Sequence, residues 1–188
     1  MVGRHTDALN CDYVINDNVY GAFLAVNHLI EKGHKTIVYV CAKPTASSGM
    51  ERIEGCKKAM IENGLPLDSL KVVTCKSNID SCYNVVRNIL LTNNNLSAMF
   101  VWDDKLAIGA IRAIFEAGLR IPEDIALVGY NDTEIARHFF PPLTTIRHAS
   151  YEIGKIVADI VLKKLVSEEN VETKQIVLKP ELVERKTT

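Results

Sequence analysis

Residues 98–132 read AMFVWDDKLAIGAIRAIFEAGLRIPEDIALVGYND, which is a strand, a helix and a second strand in succession. The apolar runs AMFVW (98–102) and DIALVGY (124–130) are short and rich in β-branched and aromatic side chains, as buried strands require. Between them Leu106, Gly109, Ala110, Ala113, Ile114 and Ala117 recur at helical spacing, and Gly118 supplies a stop, so a helix is expected near 104–118. A strand, a helical crossover and a second strand form the repeating unit of a parallel sheet.

The same alternation extends outward in both directions. DYVIN (12–16), TIVYVC (36–41) and LKVVTC (70–75) precede this unit, LTTIR (143–147) follows it, and helical patterns lie near 18–32, 50–63, 80–92 and 150–166. Ala22, Ala25, Val26, Leu29 and Ile30 line one helix face before Gly33 ends it. The strands are continuous apolar runs, which fits a parallel sheet covered by helices on both faces. A β-rich tail (175–184) carries Pro180 between two short runs, which suits a sheet edge. The fold class is therefore α/β.

Composition narrows the function. The 188 residues are 47% hydrophobic and 24% charged, with 10 glycines and 6 prolines, so disordered and collagen-like chains are excluded. A domain of this size hides roughly 70% of its unfolded surface and needs no staples. Twenty-two basic and 23 acidic residues give a net charge of −1, without the basic excess of a strongly electrostatic nucleic-acid or membrane binder. No apolar run approaches the ~20 residues that span a bilayer, and the start MVGRHTDALNCDYV lacks the apolar core of a secretory signal. A cytoplasmic location is expected.

The five cysteines include no C-x-x-C pair, so reduced, mostly buried thiols are expected rather than a zinc knuckle or a thioredoxin-type site. His28 and His34, six apart, fall on opposite sides of a helix and do not form a metal site. TASSG (45–49) is not a nucleophile elbow, and neither a Walker loop nor G-x-G-x-x-G occurs. No enzyme activity, cofactor or metal is expected.

Ligands of open parallel sheets bind beyond the carboxyl ends of the strands. That rule nominates Asn16-Asp17, Lys43 to Ser48, Lys76-Ser77, Asp103-Asp104, Asn131-Asp132 and Arg147-His148, with Arg52 one turn into a helix. Such carboxylates, amides and hydroxyls suit a neutral polyhydroxylated ligand. Asp17, Asp104 and Asp132 also stand where N-caps of the following helices are expected. Ile108, Ile111 and Phe115 form a second apolar stripe on the 104–118 helix, available either to a neighbouring helix or to a second subunit.

Taken together, several strings are more specific than any one of them. DNVYGAFLAVNHLIEKGHKTIVYV (17–40) is followed by S-x-x-x-R-x-x-G at Ser48, Arg52 and Gly55, then by residues 102–132, PPLTTIRH (141–148) and ELVERKTT (181–188). From about Asp12 onward their order and spacing closely resemble the lactose/galactose-repressor family of bacterial transcription regulators.

The resemblance implies a periplasmic-binding-protein-like core of two doubly wound parallel-sheet subdomains, the first one incomplete here, joined by three crossovers. It places residues 1–42 and 149–173 in a partial first subdomain and 43–148 with 174–188 in the second, with crossovers near Ala42 to Pro44, His148-Ala149 and Thr173 to Ile176. Carried over residue by residue, the effector positions are Asp17, Ala46, Ser48, Arg52, Ser77, Asp103, Asn131 and His148. Asn131 stands where aspartate is frequent and Ser77 where an aromatic often stacks on the ligand, a platform that Trp102 or the remainder of the first subdomain could supply instead. The resemblance further implies a homodimer through Ile108, Ile111, Phe115, Phe139 and Phe140, and a sugar-like small-molecule effector. Operator DNA is expected to bind only through a helix-turn-helix, which this chain lacks. A periplasmic-type solute-binding receptor of an uptake system shares the fold and is the alternative.

Overall fold

The computed structural model describes residues 1–6, 10–43, 47–93, 95–166 and 172–188. The chain runs β1 (Tyr13–Asn16), α1 (Asn18–Glu31), β2 (Ile37–Ala42), α2 (Ser47–Glu62), β3 (Leu70–Cys75), α3 (Ile79–Thr92), β4 (Ala98–Val101) and α4 (Asp104–Glu116). It continues through β5 (Ala126–Asn131), α5 (Glu134–His138), β6 (Thr144–Arg147), α6 (Ser150–Val166), β7 (Gln175–Leu178) and β8 (Glu181–Val183).

Six strands form the larger sheet in the order β3-β2-β4-β5-β6-β8, all parallel except for the antiparallel pairing of β8 on β6. Alternation along the strands separates two cores. Val38, Val40, Met99, Val101 and Leu127 face α3 and α4. Ile37, Tyr39, Cys41, Phe100 and Val128 face α1 and α2. Each helix pair packs closely where a glycine removes the side chain. A Cβ on Gly55 of α2 would lie 2.1 Å from the Val19 carbonyl oxygen, and one on Gly109 of α4 would lie 2.4 Å from that of Ile79.

The smaller sheet pairs β1 with β7 in parallel, and Val2 adds a single bridge to Val14. Its helix α6 lies against β1 but leaves Val161, Leu162, Leu165 and Val166 between 49% and 81% exposed.

This topology corrects the subdomain division expected from sequence. β2 lies inside the six-stranded sheet between β3 and β4, so residues 37–42 belong to the second unit rather than to 1–42 of the first. β7 pairs with β1, so residues 175–178 belong to the first unit rather than to 174–188 of the second. The chain crosses between sheets at Asp17, at His148-Ala149, and between β7 and β8 around Pro180. Of the three expected crossovers, the one at His148-Ala149 matches these places. The reason is physical: an apolar run encodes burial, and burial is the same in either sheet.

Candidate functional site

Strand order reverses at β2, which has β3 on one side and β4 on the other, so a crevice opens beyond the carboxyl ends of β2 and β4. Arg52 sits there. It lies on the apolar stripe of α2 with Gly55, Cys56 and Ala59, which buries it to 6% exposure. Its Nε donates to Asn18 Oδ1 at 3.3 Å and its Nη1 to the Trp102 carbonyl at 2.8 Å. The guanidinium carbon stands 3.7 Å from the ring centre of Tyr130 and 4.7 Å from that of Trp102, which places the cation over two aromatic faces. Among the described residues no carboxylate pairs with it. Asn18 in turn donates to Glu51 Oε2 at 2.8 Å.

His148 packs edge-on to Tyr130 with ring centres 4.8 Å apart. Asn16 Nδ2 donates to its Nδ1 at 2.6 Å, while Asn16 Oδ1 accepts from the Ala149 amide at 3.3 Å. With Nδ1 accepting, the ring proton is on Nε2, which is buried and has no partner among the described residues. Desolvation and then the Arg52 charge push His148 down to about 4. Burial pushes the Tyr130 phenol up to about 12, against the pull of Arg52. His148 also borders a polar depression of about 280 Å³ with Arg147, Glu152, Lys179 and Glu181.

The other sequence-derived positions are spread along the same edge. Asp17 caps α1 by accepting from the Tyr20 amide at 2.8 Å, and Asp103 caps α4 by accepting from Leu106 at 2.7 Å. Each uses one carboxylate oxygen. Ser48 is half-buried in the first turn of α2, Ser77 is exposed in the loop after β3, and Asn131 is exposed at the end of β5 with φ +105°. Ala46 lies outside the described residues, as does Pro44 at the expected first crossover.

Two expected caps do something else. Asp104 is fully buried and accepts from the Thr133 amide and hydroxyl and from Thr145 Oγ1 at 2.6–2.9 Å. It joins α4 to the ends of β5 and β6. Asp132 gathers Arg185, Arg147 and Arg137; burial raises its carboxyl, but Arg185 and Arg147 together outweigh this and hold it below the usual range. Residues that sequence reasoning passed over include Asn18, Glu51 and Tyr130, the last having been read only as part of a strand.

The apolar stripe of α4 is also divided. Ile111 is 7% exposed and packs into the α3–α4 core, so its place in a subunit interface is not supported by the fold. Ile108 and Phe139 are half-buried, Phe115 is 46% exposed and Phe140 is 90% exposed.

Residues 26–188 match the periplasmic binding protein-like domain family. The chain is 34% identical over 180 residues to the HTH-type transcriptional repressor PurR of Haemophilus influenzae, covering 95% of this chain and 54% of that protein. It therefore spans about half the length of the curated relatives it matches. A LacI family transcriptional regulator from Enterococcus faecium with bound ribose superposes with a TM-score of 0.91 at 29% identity, covering 100% of this chain and 69% of that one. The transcriptional regulator CelR in complex with cellobiose superposes with a TM-score of 0.92 at 28% identity, covering 100% and 57%.

Proposed function

The chain belongs to the periplasmic binding protein-like domain family, in its lactose/galactose-repressor branch, and on that premise we propose that it is the effector-binding, dimerising regulatory core of a repressor-type transcription regulator that senses a sugar or similar small polar metabolite. One observation carries the ligand reading: a buried guanidinium between two aromatic faces, with no carboxylate partner among the described residues, at the strand-order reversal of a parallel sheet. A buried cation in that state is stabilised by ligand oxygens, and its planar fork can hold two of them.

His148 Nε2 adds a buried donor, and Asp17 and Asp103 each keep one carboxylate oxygen for ligand hydroxyls. Ser48, Ser77 and Asn131 complete the proposed rim. The binding is non-enzymatic. The repressors among its relatives favour this reading over a solute receptor, and they also favour a cytoplasmic location. Dimerisation is assigned to Ile108, Phe115, Phe139 and Phe140, and operator contact to a helix-turn-helix of the whole regulator.

The response is a population shift. The chain crosses between the two sheets three times, and a ligand that prefers one arrangement of them moves the equilibrium by its differential affinity. A thermal-shift screen of pentoses, hexoses, disaccharides and purines tests the ligand class. A ligand at 100 times its Kd stabilises by about 2.7 kcal/mol, so a binder is visible. A concentration-dependent rise with a sugar supports the proposal. A rise with purines alone refutes the sugar class, and no rise with any of them refutes effector binding by this chain.

A further inference from the structure

We propose that Cys75 and Cys82 form a reversible intramolecular disulfide, a redox modification site in the wall of the cleft built by β3 and α3. The inference does not depend on the effector reading.

Four hydrogen bonds hold the loop between these cysteines. Lys76 N donates to Ser81 Oγ at 3.0 Å, Asn78 N to the Lys76 carbonyl at 2.7 Å, and Ser81 N to Asn78 Oδ1 at 2.8 Å. The Cys82 amide closes the turn on the Asn78 carbonyl at 3.2 Å. This brings the last residue of β3 and the first turn of α3 together, and both cysteines lie in the core cluster on this face of the sheet. The α4 backbone at Gly109 packs against the same turn, where an added Cβ would lie 3.3 Å from that of Cys82, so the second thiol is held in place.

The two sulfurs differ in access. Cys82 is fully buried, whereas Cys75 is 8% exposed and borders an open cleft of about 630 Å³ with Lys43, Lys76, Ser77 and Ser81. An oxidant entering that cleft meets Cys75 first. The neighbouring Cys82 side chain lowers the Cys75 thiol from its ordinary value, while Cys82, Cys41 and Cys56 are all raised. Cys41 and Cys56 lie in the core on the opposite face of the sheet.

The chemistry balances with a hydroperoxide as oxidant. The Cys75 thiolate attacks the terminal peroxide oxygen, the O–O bond breaks, and a sulfenic acid forms as the leaving oxygen takes a proton. Cys82 then attacks Cys75 Sγ and expels water, with its thiol proton going to the departing hydroxyl. With hydrogen peroxide, two thiols supply two electrons and yield one disulfide and two waters. A dithiol reductant reverses the product.

The test treats the full 188-residue chain with one equivalent of hydrogen peroxide and counts thiols in denaturant. The titre should fall from five to three, with peptide mapping joining Cys75 to Cys82 within one chain, and dithiothreitol should restore five. The Cys82→Ser variant should instead accumulate a dimedone-reactive sulfenic acid on Cys75, and Cys75→Ser should lose the fast reaction. An unchanged titre, oxidation beginning at Cys11, or equal thiol loss in Cys75→Ser would overturn the assignment.

Discussion

The Asn16 side-chain amide donates to Nδ1 of His148 at 2.6 Å, across 132 residues of chain. The same side chain accepts from the Ala149 amide, and its neighbour Asp17 donates its own backbone N–H to the Leu178 carbonyl at 2.8 Å. Residues around Asn16 thus connect all three crossings between the sheets. Pro180, at the third crossing, fits the notch at Gly21, where a Cβ would lie 3.0 Å from its ring. Asn16→Ala removes a donor and an acceptor from this junction and should cost about 1–3 kcal/mol, measured by urea unfolding.

Stability should fall in acid through His148. Its native value near 4 lies below the unfolded value of 6.5, so the unfolded chain takes up a proton first. The contribution is complete above pH 6.5 and is lost progressively between 6.5 and 4, amounting to roughly 3 kcal/mol. His148→Gln should flatten this part of the stability–pH curve. A curve identical to the parent would remove His148 as its source.

Asp104 should be a structural keystone. Asp104→Ala leaves the Thr133 amide and the Thr133 and Thr145 hydroxyls without their shared acceptor, and unfolding should come about 3 kcal/mol earlier. Denaturant midpoints check this.

Two glycines should behave oppositely. A Cβ on Gly109 meets Ile79 and Tyr83 backbone within 3 Å, so Gly109→Ala should destabilise by about 1–3 kcal/mol. Gly154 lies inside α6 with nothing within 4 Å, so Gly154→Ala should stabilise by about 0.5–1 kcal/mol. Thermal midpoints of the two variants decide it.

The strands were legible because each is a short apolar run, and DYVIN, LKVVTC and LTTIR fall within one residue of β1, β3 and β6. Sheet membership was not legible. TIVYVC carries no mark that distinguishes the centre of the large sheet from an edge of the small one, and strand pairing is a long-range property. At the proposed site, His148 was nominated from its place after a strand and Arg52 from its place one turn into a helix. Asn18 was missed although it precedes Ala22, Ala25 and Leu29 at i, i+4, i+7 and i+11, and a polar residue on a buried stripe is a usable signal. Tyr130 was hidden because an inward-facing strand tyrosine resembles any other core residue. Asp103 and Asp104 exchanged roles because one residue of helix phase decides which carboxylate caps and which points inward.

Ile108→Glu combined with Phe115→Glu should give folded monomers by light scattering at micromolar concentration. Burying a Phe or Ile is worth roughly 1.5–3 kcal/mol, so two such losses per subunit weaken a dimer severely. A folded double variant that remains dimeric would place the interface elsewhere, with the exposed side chains of α6 the next surface to examine.

The central claim is that Arg52 anchors a polar ligand, and titration calorimetry of the best sugar from the screen tests it on the parent chain and Arg52→Lys. Lysine keeps the charge but not the two-pronged geometry. We expect a chain that still folds, at some cost in stability, and affinity weakened about 10- to 100-fold, equal to about 1.4–2.8 kcal/mol. Equal affinity in the two chains would contradict it and leave Arg52 as a brace between Asn18 and Trp102.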